Sequence, residues 1–576
     1  MKKILSILLV FAMCLSVTFA LTACGEPKDA GAEVSVYLGS NVYDFDPTDY
    51  YEDRNAEQIM SMLFEPLFKL SESGKLEMGM AESYQIDKEN NRIVVQLRES
   101  YWSDEVRVKA ADFIYSWRDV ILEPNNPNPA SALLFDIENA IEVKSGEKSI
   151  YEFGAAATGA YEITINCREG ADYDRLLKNL ASINTSPLRE DIVSQAKTYW
   201  TKTLSIIVSN GPFKISSLNY GTYSFELSRN LGYHQPSSAK NYTANVTPNV
   251  LYNFISEDGE RVELKYSDIL DKTVFYLAET TLSDLSENAE NAMRADDLST
   301  YSYVFNTDKP LFKNVNVRRA LSLALDRKAM AAAAVIGTAA NGFLPNVISK
   351  TEEDRISTDA DMDAAKALLA KVDFKGISKS FTLSVNDDER SVAMAELAKE
   401  AWEELGFKVT IKKLSVKNTI VNDKVTNSKL EISDSALQVL LKEASYGNRS
   451  YDVMGINWQM YSEDAFVALA SFTSHMNGYG IDYATGKYRT NISGWWNSGY
   501  DALINNVFTA KTEKERREVL AEAEKYLLEY APVAPVLYNT NYTFVAKDFR
   551  GVKADGYGNF VLTKANLKDY EKYFKD

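Results

Sequence analysis

"RIVVQLRESYWSDEVRVKAADFIYSW", residues 92–117, changes period halfway along. Ile93, Val95 and Leu97 alternate with other residues as a half-buried strand does, because successive strand side chains point to opposite faces. From Ala110 to Val120 the apolar residues recur at helical spacing, with Asp112 in the first turn, where a negative charge suits the helix dipole. The same two patterns run on in both directions. Val34, Val36 and Leu38 alternate near the start. In "NVRRALSLALDRKAM" (316–330), Val317, Leu321 and Ala324 share one helical face, with Arg318, Arg319 and Arg327 largely off it. "SVAMAELAKEAWEELGFKVTIKKL" (391–414) predicts a helix stopped by Gly406 at C′, followed by a strand through Phe407, Val409 and Ile411. Strand-like and helix-like segments alternate throughout, with no internal repeat, so the expected class is α/β. Two stretches, 418–442 and the Gly/Tyr-rich 475–496, read as insertions or mobile loops.

The ends and the composition limit the function classes. Lys2 and Lys3, the apolar run Ile4 to Phe19 and the small-residue approach Leu21-Thr22-Ala23 have the layout of an export signal, residues 1–23. Leu-Thr-Ala-Cys24 resembles the lipobox of bacterial lipoproteins, which implies a diacylglyceryl group on Cys24 and a lipidated tether over 24–33. Two acyl chains suffice for stable anchoring to a membrane where one is marginal. Among 576 residues, 63 are basic and 81 acidic, a formal charge of −18, which repels nucleic acid and anionic lipid. Of the three cysteines, Cys14 departs with the signal and Cys24 is acylated. Cys167 is then without a partner, and stability must come from cores rather than disulfides. The length suits two to four domains.

Catalytic and cofactor patterns are weak. His234 and His475 are the two histidines, too few for a histidine-built metal site, and they read as exposed or lightly buried structural residues. "GIDYATGK" imitates a phosphate loop but has five residues between Gly480 and Gly486, and Tyr488 stands where Ser or Thr should follow the lysine. Ser194-Gln-Ala-Lys197 and Lys144-Ser-Gly146 imitate penicillin-binding motifs in reversed order. Acidic pairs abound because the chain is acidic, so a surface hydrolase using such a pair is the alternative from another class. The expectation is no catalytic residue, no metal and no cofactor.

Beyond these patterns, residues 63–117 resemble the solute-binding lipoproteins of oligopeptide and dipeptide ABC importers, extracellular solute-binding protein family 5. The matching pieces are Glu65-Pro66-Leu67, Met80 to Ser83, Leu97-Arg98 before Trp102-Ser103-Asp104, and Ala111-Asp112-Phe113. Further pieces follow in the family's order at 210–234, 301–330, 451–466 and 516–539. The resemblance implies a periplasmic-binding-protein-like two-lobed clamp, the large three-domain variant of type II. Lobe I would comprise 34–75, 205–300 and 535–576, with an accessory domain at 76–204 and lobe II at 301–534. Chain crossings near Thr300 and Pro535 would form the hinge. The implied function is capture of oligopeptides by clamp closure and delivery to an ABC permease, from the outer face of the bacterial cell membrane and as a monomer. Blocked peptides or another elongated neutral solute, such as an oligosaccharide, are the alternative cargo.

By matching, one ligand-binding strand edge is Ser40-Asn41-Val42-Tyr43 and the other runs through Gly455, Asn457, Trp458 and Gln459, with Tyr538 facing the same cleft. Two departures from the family's pattern stand out. Many relatives place an aspartate three residues after this tryptophan to pair with the ligand ammonium, whereas this chain has Tyr461, with Glu463 and Asp464 as candidate substitutes. Leu133 occupies a position where relatives often have a tyrosine.

Overall fold

The structure is a computed structural model that describes residues 33–568 apart from 40–43, 49–53, 197–199, 202–203, 205, 220–223, 235–249, 254–262, 351–352, 424–427, 483–485 and 489. The export signal, Cys24, most of the tether and the Ser40–Tyr43 edge therefore lie outside the described residues. No helix among those described is long and apolar enough to cross a membrane.

Two 13-residue strands, Met293–Phe305 and Val533–Val545, pair antiparallel through the centre of an 11-stranded mixed sheet. On one side the sheet continues through Tyr276–Leu277 and Glu33–Tyr37 to the meander Val250–Asn253, Ser224–Arg229 and Phe213–Asn219. On the other it passes through Val453–Gln459 to the parallel pair Ser380–Asn386 and Lys408–Leu414. The register of the central pair shifts between Asp296 and Thr300 and again between Tyr301 and Ser302. A shifted register twists a ladder locally, and the two shifts lie near Thr300 and Pro535. A separate four-stranded antiparallel sheet holds Ala81–Asp87, Arg92–Leu97, Glu162–Asn166 and Ala155–Gly159.

Local signals fold as their chemistry dictates. Asp388 accepts from Ser391 N at 2.9 Å and starts the helix Glu389–Glu404, and Gly406, at φ +86°, ends it. Asp112 accepts from Lys109 N (2.9 Å) and from the Trp102 indole (3.0 Å), fixing the start of the Ala110–Ile114 helix, which continues in wider turns to Ile121. The stretch expected as a mobile excursion is an antiparallel ribbon, Val416–Asp423 against Ser428–Ser435, that leads into the helix Ala436–Ser445.

The second stretch, 475–496, is fastened to the segment before the four-stranded sheet's partner strands. Asn128 N donates to Gly478 O (2.5 Å) and Ile481 N to Pro124 O (3.1 Å). Gly478 lies at φ +72°, and a Cβ there would come within 2.4 Å of Asn128 O, so a glycine is required.

Of the three arginines expected largely off the helical face, Arg319 is exposed, but Arg318 and Arg327 are buried. Arg318 donates to Tyr530 O and Ala531 O, satisfying carbonyls at the end of the helix Glu513–Tyr530, and to Phe312 O. Arg327 donates to Pro535 O (2.7 Å), Ser322 Oγ (2.9 Å) and Ser357 O (3.2 Å). Burial lowers both guanidinium pKa values to about 10. Backbone carbonyls that have no other partner reward a fork of donors, which helical spacing alone does not reveal. Likewise His234, expected exposed or lightly buried, is a buried partner of Glu65. That carboxylate also takes Lys69 Nζ (2.6 Å) and Tyr233 OH, and the adjacent backbone is held by Asn210. Burial alone would raise the Glu65 pKa, but Lys69 and His234 beside it hold it well below the usual carboxylate range.

Arg327→Leu should lower the urea midpoint of unfolding by the equivalent of about 2–4 kcal/mol, since it orphans several buried carbonyls; an unchanged midpoint would show that Arg327 holds nothing. Glu65→Gln tests the sign of the depressed pKa. Stability from Glu65 is fully present above its unfolded value, about 4.3, and is lost as pH falls through the lower folded value. The variant should lose about 1–3 kcal/mol at neutral pH and show a shallower loss of stability on acidification; equal acid slopes for both proteins would contradict it.

Candidate functional site

The strand Val453–Gln459 has one face of its ladder filled. Its residues pair from Phe305↔Val453 to Ser299↔Gln459 with the central strand. On the opposite side only Val453 and Met454 pair, with Leu383 and Ser384. From Gly455 to Gln459 no described strand covers that second edge, which leaves a row of backbone groups oriented for strand addition. Gly455 allows the close approach of Tyr301, whose hydroxyl oxygen would meet a Cβ at 2.3 Å.

Beside this edge lies a small cavity of ≈ 30 Å³, open to solvent on one side. Ile456, Asn457, Trp458, Gln459 and Tyr461 form one wall, Leu441 and Ser445 of the Ala436–Ser445 helix another, and Pro129, Tyr479 and Ile492 complete it. Four sequence-predicted residues, Asn457, Trp458, Gln459 and Tyr461, thus share one wall. Trp458 is 6% exposed and stacks on Phe472 at 4.7 Å, with Phe343 edge-on at 5.6 Å. Its indole is therefore core on one side and cavity wall on the other. Asn539 Nδ2 donates to Asn457 Oδ1 (2.9 Å) and to Ser299 Oγ (2.8 Å), tying the edge strand to the central pair.

The remaining predicted residues stand elsewhere. Leu133 is fully buried in the short 3₁₀ turn Pro129–Leu134, whose first residue lines the cavity. Tyr538 is 7% exposed and not on the cavity wall. Its hydroxyl donates to Asn341 Oδ1 (2.8 Å) and accepts from Arg355 (2.9 Å), which also grips the buried Glu524. Burial raises the Tyr538 pKa, so it stays a neutral hydroxyl.

The carboxylates after Tyr461 face away from the cavity. Tyr461 has φ +60°, a conformation uncommon for a bulky residue. Glu463 is half-buried, its carboxylate against the tight turn at Gly74. Asp464 caps the helix Ala465–Ala470 through Phe466 N (3.1 Å) and takes Arg516 Nη2 on both oxygens, at 2.7 and 2.9 Å.

Asp464 also lies 3.6 Å from Arg175 Nε, and Arg175 pairs with Asp136 at 2.7 Å. Arg168 joins the same Asp136 at 2.8 Å and covers the Phe508 ring at 4.1 Å. Ser462 Oγ donates to Asn179 Oδ1 (2.6 Å), and Phe135 meets Phe466 edge-on. An alternating chain of charges, Asp136, Arg175, Asp464, Arg516, thus bridges the segment that carries the four-stranded sheet to the segment that carries the open edge. No spacing rule announces it, because its members are far apart in sequence.

A second bridge runs from the helix Arg54–Leu63. Gln459 Nε2 donates to Glu57 Oε2 at 2.5 Å. Burial, with Asp297 and Asp555 nearby, raises the Glu57 pKa well above its ordinary value. The Ser40–Tyr43 edge is outside the described residues, but the turn after it is fixed. Asp46 accepts from Thr48 N (2.8 Å), Asn184 donates to Pro47 O (3.0 Å) and Asn128 to Thr48 O (2.9 Å).

Known proteins share this architecture over 93–94% of the chain. The chain is 23% identical to the oligopeptide-binding protein OppA of Bacillus subtilis, over 99% of this chain and 100% of that one. Haemophilus influenzae OppA in complex with RPPGFSPFR superposes with a TM-score of 0.75 at 21% identity, covering 94% and 99% of the two chains. The Escherichia coli murein tripeptide binding protein MppA superposes with 0.75 at 20% identity, covering 93% and 98%. These likenesses establish the two-lobed periplasmic-binding-protein-like fold, here built around a curled mixed sheet. The family model "Bacterial extracellular solute-binding proteins, family 5 Middle" matches residues 75–480, which include the four-stranded sheet, the charge bridge as far as Asp464 and the open strand edge, and the chain belongs to that family.

Proposed function

We propose that this protein is the extracytoplasmic receptor of an ABC importer, which captures oligopeptides by clamp closure and hands them to the permease. The observation that carries the reading is the open edge Gly455–Gln459 beside a small, partly open cavity. An extended peptide satisfies such an edge through its main chain, and so binds with tolerance of sequence. Relatives named for oligopeptide or murein peptide binding support the ligand class. The work is binding rather than bond-breaking, with no cofactor.

In this reading Cys24 carries the diacylglyceryl anchor, and 24–33 lets a monomeric receptor reach solution and dock. Lobe I (34–75, 205–300, 535–576) and its accessory domain (76–204) close on lobe II (301–534) about the crossings near Thr300 and Pro535. The contacting residues are Ser40, Asn41, Val42 and Tyr43 on one side. Opposite them are Gly455, Asn457, Trp458, Gln459 and Tyr461, with Tyr538, Leu133, Glu463 and Asp464 supporting them. A ligand shifts the clamp toward closure only by its preference for the closed state. The bridge of Asp136, Arg175, Asp464 and Arg516 adds to that preference from the protein's own side.

Thermal-shift screening of the full-length chain should show stabilisation by a mixed peptide pool and none by an oligosaccharide pool; peptides that fail to stabilise at millimolar concentration would remove the assignment. Asp464→Asn keeps the helix cap but weakens charge-assisted hydrogen bonds worth about 1.5–3 kcal/mol. It should enlarge the radius of gyration in small-angle scattering and weaken peptide affinity roughly 10- to 100-fold, at about 1.4 kcal/mol per decade. Scattering curves and affinities that match those of the unaltered protein would sink the closure role.

A further inference from the structure

We infer that closing the clamp takes up a proton, seated on Glu57 where that carboxyl meets Asp297, Asp555 and the amide of Gln459. The inference rests on the clamp-closure reading and adds a coupling between ligand capture and pH.

Three separate segments bring these acids together. Glu57 belongs to the helix Arg54–Leu63, Asp297 to the central strand Met293–Phe305, and Asp555 to the turn that links Lys553–Ala554 to Phe560–Val561. That turn is pressed against the central strand: Asn541 Nδ2 donates to Gly558 O (3.0 Å), and a Cβ at Gly558 would meet Asp296 O at 2.1 Å. Asp555 accepts from Tyr557 N (2.8 Å) and Asn559 N (2.9 Å), and Asp297 accepts from Ser299 Oγ (2.8 Å). The group therefore sits beside the first register shift of the central pair.

The charges that act on Glu57, those of Asp297 and Asp555, are of one sign, and its hydrogen-bond partners Asn559 and Gln459 are neutral amides. Tyr557, beside them, feels Glu57, Asp555 and Glu463, and its hydroxyl donates to Lys178 O (3.4 Å). In the bridge at Asp464, each carboxylate has an arginine against it. Glu57 is buried among acids instead, and a buried carboxyl in that position is relieved by binding a proton. Burial, then Asp297 and Asp555, push its pKa well above the ordinary value, and burial pushes that of Asp555 up to about 6.

Gln459 reaches Glu57 from the strand Val453–Gln459, which the clamp reading assigns to the opposite lobe. Opening withdraws that amide and admits water, so the Glu57 pKa returns toward the ordinary glutamate value of about 4.3. The closed state then holds a proton that the open state gives up. Closure is most favourable below about pH 4.3 and weakens as pH rises through the raised closed-state value. One proton per closure makes ligand affinity fall by up to about tenfold per pH unit within that window.

Calorimetric titration of the full-length protein with an alanine pentapeptide at pH 6, in two buffers of different ionisation enthalpy, counts the protons. Both peptide ends keep their charges at that pH. The unaltered protein should take up about one proton per peptide bound. Glu57→Gln, whose amide still accepts from Gln459, should take up far less, and its affinity should hold steady from pH 6 to pH 8 while that of the unaltered protein falls. Asp555→Asn, which removes a neighbouring charge and leaves Glu57 in place, should show a smaller fall and serves if the first variant does not fold. Equal uptake in the unaltered protein and Glu57→Gln, or none in the unaltered protein, overturns the inference. If no peptide binds, the oligopeptide reading falls and small-angle scattering of the ligand-free protein decides on the proton. The radius of gyration should then be larger at pH 8 than at pH 5, with no such change in Glu57→Gln; identical behaviour of the two proteins overturns the inference.

Discussion

The antiparallel pairing of Met293–Phe305 with Val533–Val545 is the constraint on which the rest depends. These strands are the axis of a single sheet that reaches from Phe213–Asn219 at one end to Lys408–Leu414 at the other. Because every residue of the candidate edge is registered against Ser299 to Phe305, a slip of one residue in the central pair would turn the edge's side chains to the opposite face. The protein resists such a slip with polar pins as well as apolar packing. Asn539 ties Ser299 to Asn457, Thr300 Oγ1 donates to Phe343 O (2.8 Å), and Arg327 holds Pro535 O. Buried groups of this kind are costly to leave unmade, so they specify one register.

The contrast between what the sequence reveals and what it hides follows from range. Strand alternation at Ile93, Val95 and Leu97, the helix stop at Gly406 and the start at Asp112 are local effects, and each folds as read. Resemblance to a family carries the architecture over almost the whole chain. The burial of Arg318 and Arg327 was not legible, because a guanidinium goes inside only when several backbone carbonyls from distant segments converge on it. His234 misled for the same reason: Glu65, which it meets, is 169 residues away. The sequence marks 418–442 as an insertion or mobile loop, and the structure shows why it has no core pattern: the strands of the ribbon at 416–435 pair only with each other.

At the candidate site, Asn457 to Tyr461 are named by resemblance to the family, and the structure places them on one strand and its exit. The cavity's second wall was not legible, since Leu441 and Ser445 sit on a helix whose direction is set by the ribbon before it. Nor was the fate of Asp464. A carboxylate near the expected ammonium site is a reasonable substitute until its partners are known, and Arg516 is 52 residues beyond it.

The charge bridge changes how the clamp's energetics should be weighed. A ligand that closes two lobes must overcome the lost freedom of the lobes and of its own chain. Where the protein supplies Asp136, Arg175, Asp464 and Arg516 as a closing contact, part of that cost is met before the ligand contributes. The ligand then needs fewer charged contacts of its own to hold the closed state. The cavity wall agrees with that division: its groups are uncharged, the nearby Glu57 is occupied by Gln459, and Asp464 is turned to the bridge. In the proposed function, electrostatics therefore serve closure, while the uncharged open edge holds the ligand through its main chain.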